Sequence, residues 1–192
     1  MAAPGAARAS SASELVREAH DLERAHQDEK ALRRYTDALT LDPTLGDAYL
    51  GLAELRARRG DLREAERVYS VALAHVPDLR AALSGRAHTR WALGQRADAE
   101  ADLDEYVEKA EDAAALRELA GWYGEDGRVP AQLAAWRRAA RLAARAGDPA
   151  LAREARTMVL ALQIVLGSAD PVTAGDGSDV RRGMALAAKK GL

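Results

Sequence analysis

The stretch DAYLGLAELRARRGDLREAERVYSVALAHVP, residues 47–77, decides the fold. Tyr49, Leu52, Ala53 and Arg56 recur at i, i+3, i+4 and i+7, the spacing of one helix face. Gly60 stops that helix, because the left-handed conformation that ends a helix costs glycine least. Asp61 is the predicted N-cap of a second helix. Leu62, Ala65, Tyr69, Ala72 and Leu73 share one face of it, and Pro77 closes it because proline cannot continue a helix interior. The unit over 46–79 is therefore a helix, a tight turn and a second helix. Alanine at the close-contact points lets the two helices nest, where larger side chains would force them apart.

The same unit recurs along the chain. Ala19, Ala53 and Ala87 stand 34 residues apart, as do Ala31, Ala65 and Ala99. Tyr35, Tyr69 and Leu103 keep the step, and so do Leu39, Leu73 and Val107. Pro43 and Pro77 match, with Glu111 at the third place; Gly60 and Gly94 match, with His26 in the first copy.

This large–small–aromatic–Pro pattern with a Gly-Asp turn resembles the tetratricopeptide repeat family. The resemblance covers three copies, 12–45, 46–79 and 80–112, the third with Arg86 where the family usually carries leucine. A degenerate fourth copy over 113–147 fits through Leu116, Leu119, Ala120, Tyr123 and Gly127, while Gln132 breaks the small-residue pattern. Residues 130–146 read either as the second helix of that copy or, through Trp136, Ala140, Gly147 and Ala152, as the first helix of another. Gly147-Asp148-Pro149 is a boundary that stops one helix, caps the next and starts it.

The expected fold is all-α: a right-handed α-solenoid of helix-turn-helix repeats with about nine helices. Around the solenoid over 12–147 the expectation is a disordered N-terminus over 1–11, a packing or capping helix over 148–167 and a flexible tail over 168–192. Within that tail Val180 to Lys190 is a candidate short basic helix.

Composition narrows the function. Apolar residues at 48% and charged residues at 30% describe a folded chain with a real core. With aromatics at 4% and no Phe, Leu, Ala and Val must fill that core. The net charge of −2 lacks the basic surplus that phosphate neutralisation requires, so nucleic acid is not an expected partner. Zero cysteines exclude disulfides, thiolate metal sites and a cysteine nucleophile. Residues 1–11 form no secretory signal, and the most apolar run, Met158 to Leu166, is shorter than the roughly 20 residues a membrane span needs. A cytoplasmic protein, bacterial by its arginine-, alanine- and glycine-heavy composition, is the expectation.

No phosphate-cradling glycine loop, nucleophile elbow or metal-binding histidine motif occurs. His20 and Glu23 have ligand spacing but read as a solvated helix face, and His20 and His88 stand two repeats apart. Glu100, Asp102, Asp104 and Glu105 read as surface charge. No cofactor, metal or catalytic set is expected, and the chain is read as a non-enzymatic scaffold or adaptor for another protein or peptide.

The family resemblance implies where that partner lies, since the first helix of each repeat lines the concave groove. Its groove positions fall here on Val16 and His20 in the first copy, Leu50, Glu54 and Arg58 in the second, and Ser84, His88 and Trp91 in the third. Arg117 holds such a position in the fourth. Trp91 is the leading candidate, because tryptophan is enriched at binding hot spots; packing inside the solenoid is the other reading. The carboxylate clamp by which some relatives hold heat-shock chaperones falls on Val16, His20, Gly51, Ala81 and Gly85, which cannot supply it. Two further readings stand beside the scaffold. One is a secretion-type chaperone for an exported substrate. The other is a homo-oligomer assembling through the apolar C-terminal helix, with Val159, Leu162 and Leu166 as a second interface.

Overall fold

Glycine stops and alanine-lined faces divide the chain into hairpins, and the computed structural model shows them over the residues it describes, 11–167. Nine helices run through those residues: α1 (Ala12–Arg24), α2 (Asp28–Leu41), α3 (Gly46–Arg58), α4 (Leu62–His75), α5 (Arg80–Ala92), α6 (Arg96–Ala110), α7 (Ala113–Glu125), α8 (Val129–Ala146) and α9 (Pro149–Val165). The expectations for residues 1–10 and 168–192 lie outside the described residues. Ser11 begins α1 with a capping box, its side chain and that of Glu14 each meeting the other's backbone N–H.

The turns follow one rule with two kinds of residue. Gly60, Gly94, Gly127 and Gly147 take positive φ, as the sequence expects. His26 keeps the same left-handed conformation at φ 55° without being glycine, and Glu111 does so at φ 50° where the closing proline is missing. The repeat geometry thus holds the turn even where the residue disfavours it. Asp61 precedes α4 but makes no capping hydrogen bond; its carboxylate instead pairs with Arg56 at 3.4 Å. Asp112 and Asp148 do cap, each accepting from two backbone N–H groups of α7 and α9.

The chain divides into two compact units, with the boundary inside α6 after Asp102. In the first unit Ala19, Ala31, Ala38, Ala53, Ala65 and Ala72 are wholly buried between the helices, and Leu15, Leu32, Leu52, Leu55 and Val68 fill around them. Tyr35 and Tyr69 cross this core, and each ring lies on a glycine of the next hairpin. A methyl on Gly51 would stand 2.4 Å from Tyr35 Cζ, and one on Gly85 2.4 Å from Tyr69 Cζ.

The third hairpin departs from this pattern. Arg86, at the place Leu52 holds in the second, forks onto Asp102 at 2.8 and 2.7 Å. Arg90 reaches the same carboxylate at 2.8 Å and Glu66 at 3.0 Å. Asp102 and Glu100 are buried, at 4% and 8% exposed, which corrects their reading as surface charge. Two guanidiniums offset the loss of water around Asp102, which a lone buried carboxylate could not tolerate. Asp104 and Glu105 do lie outside, paired with Arg138 and Lys109.

In the second unit α8 packs on both α7 and α9. Leu116, Leu119, Trp136, Met158 and Leu162 are its largest sealed side chains. Gln132 is buried at the small-residue position because Gly124 makes room: a methyl there would stand 2.4 Å from Gln132 Nε2. Its Oε1 is buried with no hydrogen-bond partner among the described residues.

Candidate binding face

The first helices of three hairpins, α1, α3 and α5, contact one another in turn within the first unit. His20, Glu54 and His88 occupy equivalent places on them and are all exposed, so they form a line along the row. Leu50 and Ser84 are half-buried on the same helices. The Ser84 carbonyl accepts a 2.6 Å hydrogen bond from His88 Nδ1. Trp91 is half-buried and carries the Arg96 guanidinium 3.9 Å from its ring centroid, so its face is in use as a cation platform. Val16 is a correction: at 7% exposed it belongs to the core, because its side of α1 turns toward the packed helices.

At the α1 end the row is closed by the chain itself. The Tyr35 hydroxyl donates to Glu23, whose other carboxylate oxygen takes Arg58 from α3. With its one proton committed to Glu23, the hydroxyl accepts from His20 Nδ1 at 2.9 Å. Burial first, and then the Glu23 hydrogen bond, hold the Tyr35 hydroxyl far above the ordinary tyrosine range. The hydrogen bond from Arg58 to Glu23 likewise raises the Arg58 guanidinium.

One repeat further on the same tyrosine is left open. Tyr69 is 3% exposed and makes no hydrogen bond among the described residues. Burial first, then the charge of Glu54, push it up to about 12. Ala57 and Ala92 stand where the first corner has Glu23 and Arg58. Glu54 stands one turn before Arg58 on α3, and its charge helps raise that guanidinium.

The remaining candidates lie in the second unit. Arg117 is exposed on α7 and pairs with Glu154 of α9 at 3.6 Å. On α9, Leu162 is wholly buried and so presents no surface, a correction to its place in a second interface. Val159 is half-buried, and the exposed apolar residues at this end are Ile164, Val165 and Leu166, at 41%, 54% and 40%. Between α1, α2 and α3 lies a depression of 870 Å³ lined by both signs of charge. Arg34 pairs there with Glu18, and Arg59 with Glu29, so its charge is largely satisfied within the chain.

The tyrosine corners were not among the expected site residues, although the sequence carries their signal. Tyr35 with Gly51, and Tyr69 with Gly85, repeat at the 34-residue step. Glycine inside a helix costs about 1 kcal/mol against alanine, so two such glycines in register with two tyrosines mark a close approach. Among the described residues no group of three or more His, Asp and Glu could hold a metal ion, and no helix is long and apolar enough to cross a membrane.

These stacked hairpins, with side chains displayed along a row of first helices, define a helical-repeat protein. The Tetratricopeptide repeat family model matches residues 17–83. No curated protein matches the chain. Among solved structures it is similar to YrrB, described as a TPR protein with an unusual peptide-binding site: TM-score 0.67, 18% identity, covering 94% of this chain and 92% of that one. MamA from Desulfovibrio magneticus RS-1 matches at TM-score 0.65 and 17% identity over 93% of this chain and 96% of its own. The first TPR of Spaghetti (RPAP3), bound to the HSP90 peptide SRMEEVD, matches at TM-score 0.57 and 21% identity over 61% of this chain and 94% of its own. At these identities the likeness is one of fold.

Proposed function

We propose that this chain is a non-enzymatic scaffold that holds a segment of another protein along the row of α1, α3 and α5. The observation that carries the reading is the line of exposed side chains His20, Glu54 and His88 on three successive first helices, backed by a core that fixes their spacing. The family supports it, since its members are in general interaction modules. The printed descriptions of two neighbours, a peptide-binding site and a bound peptide, support it by analogy. The heat-shock clamp stays outside the proposal: Val16 is core, and Gly51 and Gly85 lie under tyrosine rings. A cytoplasmic, bacterial setting belongs to the same proposal and rests on composition. A secretion-type chaperone would use the same surface with an exported substrate as its ligand.

The test is site-specific photo-crosslinking in cells, with the reactive residue at Ser84 or His88 and, as control, at Arg63 on α4. Products at Ser84 and His88 that are absent at Arg63 support the row as the binding face. Products at Arg63 alone, or none at the row, overturn it.

The exposed Ile164, Val165 and Leu166 favour a second reading, self-association through the end of α9. Light scattering on Val165→Glu decides it: a fall from dimer to monomer mass supports it, and a wild type already monomeric removes it.

A further inference from the structure

We propose that the uncovered face of α9 is a second docking surface, and that it takes an acidic amphipathic helix of a partner protein. The inference concerns the second unit alone and does not depend on the row of α1, α3 and α5.

The eighth residue of α1, α3, α5 and α7 is alanine in each case, and Ala19, Ala53, Ala87 and Ala120 are wholly buried. The eighth residue of α9 is Arg156, and it is exposed. The side that the other four helices bury is therefore uncovered on α9, and it carries a charge. Arg153, Arg156, Leu160 and Ile164 stand at i, i+3, i+7 and i+11, so they share this face over about 16 Å. Arg153 is exposed, Leu160 half-buried and Ile164 41% exposed. The opposite side of α9 is the packed one, with Leu151, Ala155, Met158 and Leu162 buried.

Neither the Arg153 nor the Arg156 guanidinium is in an ion pair or a hydrogen bond among the described residues. No acid stands three or four places from either along α9. In the first unit, by contrast, Arg24 meets Asp21 and Arg67 meets Glu64 one turn away. The two acids nearest in sequence are engaged elsewhere: Glu154 pairs with Arg117 at 3.6 Å, and Asp148 caps α9. The surroundings keep the same sign, since residues 128–167 hold seven arginines and only those two acids in a chain of net charge −2. A local field of this kind draws a negatively charged partner. The face is cationic in its first half and apolar in its second. A partner helix with two carboxylates opposite Arg153 and Arg156, and apolar side chains opposite Leu160 and Ile164, satisfies both halves. A second copy of α9 fits in neither direction. Laid parallel it brings like charges together, and laid antiparallel it sets guanidiniums on Leu160 and Ile164. A bilayer surface suits the face less, because a helix lying in a membrane needs an apolar side along its whole length.

The experiment selects binders from a displayed library of helical peptides on the purified chain, with Arg153→Glu/Arg156→Glu as the counter-target. The expected result is enrichment of two acids one turn apart beside two apolar residues on the same peptide face. A selected peptide should bind the double variant about tenfold more weakly and Ile164→Ser a few-fold more weakly, with helicity unchanged by circular dichroism. Added salt should weaken binding to the wild type more than to the double variant. The same peptide with lysine at its two acidic positions should regain binding to Arg153→Glu/Arg156→Glu, which a merely structural role for these arginines would not produce. Ser84→Arg, on the row of first helices, should change nothing; a peptide that loses binding there belongs to the row and overturns the second surface. Enriched peptides without acids, acidic peptides indifferent to the double variant, or no enrichment at all would also overturn it. Sedimentation of the wild type with phosphatidylserine vesicles, in the absence of any acidic binder, would overturn it in favour of a membrane surface.

Discussion

The second and third hairpins are cut from one template and filled with opposite chemistry. Leu52 on α3 is buried among apolar neighbours, while Arg86, at the same place on α5, is half-buried against Asp102. The difference shows that the repeat specifies a direction and a depth for each side chain but not its polarity. A charge is tolerated at a core position when its counter-charge arrives on the partner helix at the same depth. The two tyrosines make the same point, since the Tyr35 hydroxyl meets Glu23 and His20 while Tyr69 makes no hydrogen bond among the described residues.

The comparison is broken hardest by removing the shared carboxylate. Asp102→Ala leaves Arg86 without an ion-pair partner and Arg90 with Glu66 alone, and should cost about 3–5 kcal/mol in urea unfolding. Arg86→Leu combined with Asp102→Leu restores the chemistry of the second hairpin and should recover most of that loss. A double variant as unstable as Asp102→Ala would show that the ion pair specifies the packing of α5 on α6 in a way leucine cannot.

The next largest effect tests the two corners together. Gly51→Ala and Gly85→Ala should each cost about 1–3 kcal/mol, because the added methyl meets a tyrosine ring on a packed helix. Gly51→Ala should be the worse of the two, since displacing Tyr35 also breaks its bonds to Glu23 and His20. Equal losses would mean that the first network contributes nothing beyond the ring contact.

A smaller effect lies in the turns. His26→Gly should stabilise by about 1 kcal/mol, read as a rise in Tm, by relieving the left-handed conformation that Gly60 adopts freely one repeat later.

The smallest effect is a pH dependence at the open corner. Tyr69 in the folded chain holds its proton to about 12, whereas the unfolded chain releases it near 10. The folded state therefore binds the extra proton between these values, so the contribution of Tyr69 is complete below about pH 10 and is lost as pH rises toward 12. Tyr69→Phe should flatten that part of a urea-midpoint profile. An unchanged profile would place the Tyr69 hydroxyl in a more watery site than its burial indicates.

The sequence by itself determined the helices and their pairing. The 34-residue recurrence of alanine, tyrosine and glycine needs no distant information, because each hairpin closes on neighbours in sequence. It also excluded cysteine chemistry. Only the tertiary structure decided which polar groups are satisfied. Val16 and Leu162 share helical faces with exposed residues, and their burial depends on what packs across them. Glu100 and Asp102 read as surface charge in a run of acids until α5 brings Arg86 and Arg90 to Asp102. Helical periodicity is local and one-dimensional; the pairing of a carboxylate with a guanidinium on another helix is a fact of three dimensions.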